Sequence, residues 1–190
     1  MRNLLKQSAY VIAAGLPLLA LFEICSHKLF MIKRSTSLSS NQIKELSVLG
    51  NKAIKSLDVP VASLLLYHDS IIGRGYNTVN IDTNITAHAE INAINTAIRI
   101  YGFKKFNQLD RRYLKLITTY EPCAMCRSVI IGTGIHQVEF IKEKSLYHWL
   151  KEDLKEYRYE WRKTKMSPEN LQDSLFQLHP LYDPAKNRGE

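Results

Sequence analysis

The stretch Val61-Ala62-Ser63-Leu64-Leu65-Leu66-Tyr67-His68-Asp69-Ser70-Ile71-Ile72-Gly73-Arg74-Gly75-Tyr76 decides the fold. Val61 to Tyr67 is a short run dominated by apolar residues, the pattern of a strand buried on both faces. His68-Asp69-Ser70 carries turn chemistry, and Ile71 to Tyr76 returns as a second strand, so the pair reads as a hairpin. Upstream, Ile43, Leu46, Leu49, Ala53, Ile54 and Leu57 recur at helical spacing, which predicts a helix from Asn41 to near Asp58. Ser35 to Ser40 reads as a linker ending in a helix cap, and Pro60 bars the helix from continuing.

Downstream, Asn77 to Thr86 is a polar loop. A helix from about His88 to Tyr101 follows, with Ile91, Ile94, Ala97 and Ile98 on one face and Gly102 at its end. Tyr113 to Thr119 predicts a third strand, Cys123 to Gly132 a helix, and Gln137 to Ile141 a fourth strand. Ser145 stands where it would cap a last helix, along which Leu146, Trp149, Leu150, Leu154, Tyr157 and Trp161 keep helical spacing. Strands alternating with helices in this order predict a layered α/β sheet. Residues 166–190 hold three prolines and little periodicity, which predicts an extended tail.

With 45% hydrophobic and 23% charged residues, the 190-residue chain is globular in composition and long enough for one core with an appendage. Its net charge of +8 invites a polyanionic partner, but the excess is uneven. Residues 1–35 carry a net +4, so the remaining 155 residues are only mildly basic, with 21 basic against 17 acidic side chains. The helix near 145–165 interleaves aromatics with Arg158, Arg162, Lys163 and Lys165, a pattern that can bind RNA. It also carries Glu152, Asp153, Glu156 and Glu160, which favours a solvated amphipathic face.

Gln7 to Phe22 is a run of sixteen uncharged residues flanked by Arg2 and Lys6 before and Lys28, Lys33 and Arg34 after. A span needs about 20 apolar residues, so a membrane tether here would have to use residues 7–30. A signal-peptide core and a start at Met31 are the competing readings, and no small-x-small cleavage site follows the run. Segment 1–34 is therefore set apart from the domain expected over 35–165. Three cysteines make no disulfide framework. Thiolate chemistry favours the reducing, cytoplasmic side, with association to the membrane through the N-terminal segment as a further expectation.

Two short motifs carry the chemistry: His88-Ala89-Glu90 and Pro122-Cys123-Ala124-Met125-Cys126. Cysteines three apart on a helix share a face, so Cys123 and Cys126 can grip one ion while His88 supplies a third ligand. Three protein ligands on zinc leave a fourth position open, the arrangement of a catalytic site. Glu90 need not bind metal and is the expected proton carrier. A helix N-terminus at the cysteines favours their thiolate forms. Competing readings are a redox pair, or a structural zinc site completed by His68 or His136.

Pro60-Val61-Ala62, Gly73-Arg74-Gly75-Tyr76-Asn77, Thr86-Ala87-His88-Ala89-Glu90-Ile91 and Glu121-Pro122-Cys123-Ala124-Met125-Cys126 together resemble the cytidine deaminase-like superfamily. They are most like the branch of tRNA adenosine, guanine and fungal-type cytosine deaminases. The resemblance covers roughly residues 40–145. It implies a three-layer α/β/α sandwich around a mixed sheet of about five strands, a zinc cofactor, and often a homodimer. It also implies that Asn77 and the backbone N–H of Ala89 contact the base. The expected activity is hydrolytic removal of an exocyclic amine from a nucleobase or nucleoside, with tRNA adenosine as the alternative substrate. A membrane-tethered binding module holding zinc for structure only is the rival from another class.

Overall fold

The structure is a computed structural model that describes residues 37–165 and 170–178, with Phe22 and Pro180 singly. The first helix, α1 (Ser40–Lys55), begins at a reciprocal cap. The Gln42 backbone N–H donates to Ser39 Oγ at 3.2 Å, and the Ser39 N–H donates to Gln42 Oε1 at 2.9 Å. Two orphan donors of the helix start are thereby satisfied. Ser39→Ala is expected to lower unfolding stability by about 1 kcal/mol in urea titration, with no change at the site described below.

Strands β1 (Ala62–Tyr67) and β2 (Ser70–Tyr76) form the antiparallel hairpin read from the sequence. His68 and Asp69 both take positive φ, 47° and 61°, as a two-residue turn between twisted strands requires. Ile72 is the extra residue of a bulge opposite Leu65 and Leu66. β3 (Leu114–Tyr120) pairs antiparallel with β1, and β4 (Gln137–Lys142) pairs parallel with β3. The strand order is β2-β1-β3-β4. Among the described residues the mixed sheet thus has four strands, one fewer than the resemblance implied.

Side chains of the central strands point alternately to two cores. Leu65, Leu114 and Leu116 join α2 (Ala89–Tyr101) and α4 (Ala124–Gly132) on one face. Ala62, Leu64, Leu66 and Ile117 meet Leu46 and Leu49 of α1 on the other. These are the three layers expected. Between α2 and β3 the chain makes a short helix that periodicity did not reveal, α3 (Phe103–Asn107). It sets Phe106, fully buried, into the first core.

After β4 comes α5 (Leu146–Arg162), which buries Trp149. Cα packing divides the chain after Asp153, inside α5. The expectation of an extended 166–190 fails over α6 (Asn170–Leu178). Leu171, Leu175 and Leu178 stand one helical turn apart, and the nearest prolines flank this stretch without interrupting it. Among the described residues no helix is long and apolar enough to cross a membrane. Apart from Phe22, residues 7–30, where a tether was expected, lie outside the described residues, Cys25 among them.

Strand polarity positions the site. β1 runs opposite to both β2 and β3, and β4 runs with β3. The C-terminal ends of β2, β3 and β4 therefore share one edge of the sheet. Asn77 follows the first, Glu121 to Cys123 follow the second, and Lys144 follows the third.

Candidate metal and substrate site

His88 is the N-cap residue of α2 and makes no side-chain capping bond, so its ring is available for other partners. The start of α2 is stapled to the end of β2 by Asn92. Its Nδ2 donates to the Tyr76 carbonyl at 2.8 Å and to Thr78 Oγ1 at 2.9 Å. Cys123 is the N-cap of α4, and its sulfur accepts from the Cys126 backbone N–H at 3.5 Å. Pro122 stands just outside the helix, where its missing N–H costs nothing.

These three side chains form a near-equilateral triangle. His88 Nδ1 lies 3.6 Å from each sulfur, and the two sulfurs are 3.4 Å apart. Tetrahedral zinc, with bonds of about 2.0–2.3 Å, sets its ligand atoms roughly 3.5–3.8 Å from one another. The triangle fits that ion almost without adjustment. His88, Cys123 and Cys126 are the only such metal-capable group among the described residues. His68 and His136 do not complete it. His68 stacks on Tyr113 in the hairpin turn, and His136 precedes β4, so both stand at the opposite edge of the sheet. The donor set has three members and an open side.

The electrostatics follow from packing. The hydrogen bond with Cys126 holds the Cys123 thiol far below its ordinary range, burial opposing and His88 assisting. The same hydrogen bond, together with burial, pushes Cys126 upward. The Cys123 contact raises His88, against burial. Glu90, in the first turn of α2 and only 4% exposed, is raised chiefly by burial.

A cavity of about 390 Å³ opens beside the triangle. His88, Cys123, Glu90 and Asn77 line it, and Val59, Val61 and Val79 give it an apolar wall. Sequence reasoning missed Asp58, Glu121, Lys144 and Glu152, which also line it. Asp58 braces one rim, accepting from the Asn80 N–H at 2.8 Å while Asn80 Nδ2 donates to the Leu57 carbonyl at 2.6 Å.

Asn77 is buried, and its Oδ1 accepts from the Ala89 backbone N–H at 2.8 Å. A backbone N–H can only donate, so this bond fixes the orientation of the amide and leaves the NH2 group as its other polar end. The Ala89 N–H, expected to contact a base, is here engaged by Asn77, and Ala89 itself is fully buried.

Fold and donor set together define a zinc-binding α/β domain whose metal corner faces a carboxylate-lined cavity. Residues 39–142 match the family described as "Cytidine and deoxycytidylate deaminase zinc-binding region". The chain belongs to that family, and zinc is its metal. It is 34% identical over 94 residues to the tRNA-specific adenosine deaminase of Buchnera aphidicola subsp. Baizongia pistaciae, which covers 49% of this chain and 55% of that protein. To the tRNA-specific adenosine deaminase of Aquifex aeolicus it is 30% identical over 120 residues, 58% of this chain and 74% of the relative. The chain spans about half the length of several curated relatives that it matches. The solved guanine deaminase of Bacillus subtilis shares its fold at TM-score 0.54 and 21% identity, over 73% of this chain and 92% of that one.

Proposed function

We propose that the chain is a hydrolytic deaminase that replaces the exocyclic amine of a nucleobase, free or in a nucleoside, with oxygen and releases ammonia. The observation that carries this reading is a buried carboxylate, Glu90, lining the same cavity as a three-ligand metal triangle. His88, Cys123 and Cys126 would hold zinc. When bound, zinc supplies Lewis acidity that makes water a stronger acid. Glu90 takes a proton from the attacking water, delivers it to the ring nitrogen, and serves the departing amine in turn. Asn77 offers its NH2 group to an acceptor on the ring, held in that orientation by the Ala89 N–H. The valine wall suits the faces of a planar base, and the cavity's volume lies within the ordinary range for small ligands, about 300–1,000 Å³.

The names of the relatives favour a second reading, adenosine within tRNA. A homodimer also belongs to this proposal. Among the described residues β4 is an edge strand, and Ile131 and Ile141 are 75% and 61% exposed, which leaves apolar surface for a second copy. Sedimentation of the full chain tests the dimer.

Ammonia release from bases, nucleosides and an anticodon stem-loop, before and after zinc is stripped and restored, tests the function. Zinc-dependent turnover of a small substrate is the expected result. Turnover of the stem-loop alone would select the tRNA reading. No turnover at stoichiometric zinc would leave only the structural-zinc binding module standing.

A further inference from the structure

The turn that carries Cys123 is braced in part by Lys144 and Glu152, which lie beyond the family match at 39–142. We propose that Glu152, paired with Lys144, is a positioning residue that holds this turn in its metal-binding geometry. The inference rests on the metal reading above.

The contacts form a circuit around Pro122 and Cys123. Before them, the Glu121 backbone N–H donates to the Lys142 carbonyl at 2.9 Å, and Glu121 Oε2 accepts from the Lys144 N–H at 2.8 Å. After them, the Ala124 N–H donates to Glu152 Oε2 at 3.3 Å. Lys144 Nζ closes the loop, lying 2.8 and 2.9 Å from the two Glu152 oxygens. Ala124 is the first residue of α4, so its N–H has no partner within the helix and Glu152 supplies one. The cysteine turn is thus gripped on both flanks by the β4–α5 segment.

Charge explains why two residues are needed. A carboxylate at the start of α4 would by itself raise the cost of a neighbouring thiolate, and Glu90 already adds negative charge nearby. The Lys144 side chain, 6% exposed, neutralises Glu152 at contact distance. The pair can therefore supply a rigid acceptor without adding net charge to the site. Removing Glu152 alone would take the acceptor from the Ala124 N–H and the carboxylate that Lys144 Nζ contacts at 2.8 Å. Asp153, next in the chain, makes a different contact, an ion pair with Arg127 at 2.7 Å, further along α4.

The test uses the full chain, zinc competition against a chromophoric chelator, and the absorption of the cobalt-substituted protein. Glu152→Ala is expected to weaken zinc by about 10–100-fold, the usual effect of losing a group that supports metal ligands, and to shift the sulfur-to-cobalt bands. Glu152→Gln, which keeps an acceptor for Ala124, should recover part of the affinity and provides the readout should the alanine variant not fold. Asp153→Ala should keep wild-type affinity. The proposal is overturned if Glu152→Ala and Glu152→Gln both bind zinc as the wild type does. It is equally overturned if Asp153→Ala loosens zinc as much as Glu152→Ala, since the helix would then be merely docked. A wild-type chain that binds no zinc would instead sink the metal reading itself.

Discussion

Glu90→Gln is expected to retain stoichiometric zinc while kcat falls by about 10²–10⁴-fold, the usual contribution of a positioned proton carrier. The metal triangle is built from His88, Cys123 and Cys126 and does not draw on Glu90. Glutamine matches glutamate in size, so packing at this 4% exposed position is preserved. What is lost is the ability to accept and return a proton at the cavity wall. Burial already works against the ionised carboxylate, as its raised pKa records, so the neutral variant should melt no lower than the wild type. Loss of turnover with unchanged or higher stability separates a catalytic role from a structural one. Elemental analysis for zinc, a thermal melt and ammonia release make the comparison. Activity within a few-fold of wild type would remove Glu90 from the mechanism.

How far the sequence reveals this molecule depends on whether the signal is local. The apolar run at Leu64 to Leu66 marks a buried strand because every side chain there must avoid water, whichever face it meets. Ser39 and Gln42 announce a helix start because the cap is completed within four residues. The metal donors were legible for a related reason: two cysteines a helical turn apart already define half a tetrahedron.

Contacts made only by convergence were not legible. Lys144, Glu152 and Asp58 reach the cavity because separate segments converge at one edge of the sheet, and no spacing along the chain encodes that. The partner of the Ala89 N–H, Asn77, is twelve residues away just past the end of β2, and no local spacing announces that bond. The helix at Asn170–Leu178 was obscured by the prolines of this stretch, none of which falls within it in sequence.

Gly75→Ala carries the largest expected structural effect, because a single methyl group would have to enter the backbone of a helix. A Cβ at Gly75 would stand 2.1 Å from the Ala89 carbonyl oxygen and 2.3 Å from the Ala93 nitrogen. At Gly73, on the same strand, it would stand 2.2 Å from the Ala93 carbonyl oxygen. These obstacles are backbone atoms, so no rotamer change relieves the clash, and α2 must lift away from β2. Overpacking of this kind costs about 1–3 kcal/mol or more, a large share of the roughly 5–15 kcal/mol that holds a domain together.

The functional consequence follows from what the two elements carry. β2 leads directly into Asn77, while α2 presents His88 and Glu90 and donates the Ala89 N–H that orients Asn77. The cysteines sit on α4, so lifting α2 opens the triangle as well as the cavity wall. Displacement by about 1 Å commonly costs 10²-fold in rate. Gly75→Ala should therefore lower the melting temperature, weaken zinc and reduce kcat/KM together. Gly50→Ala is the control: a methyl there meets nothing within 4 Å, so zinc affinity and kcat/KM should stay unchanged, and the melting temperature should hold or rise because alanine suits the middle of α1 better than glycine. A Gly75→Ala protein with wild-type zinc affinity and melting temperature would show that the helix–strand contact does not set the distance between the donors.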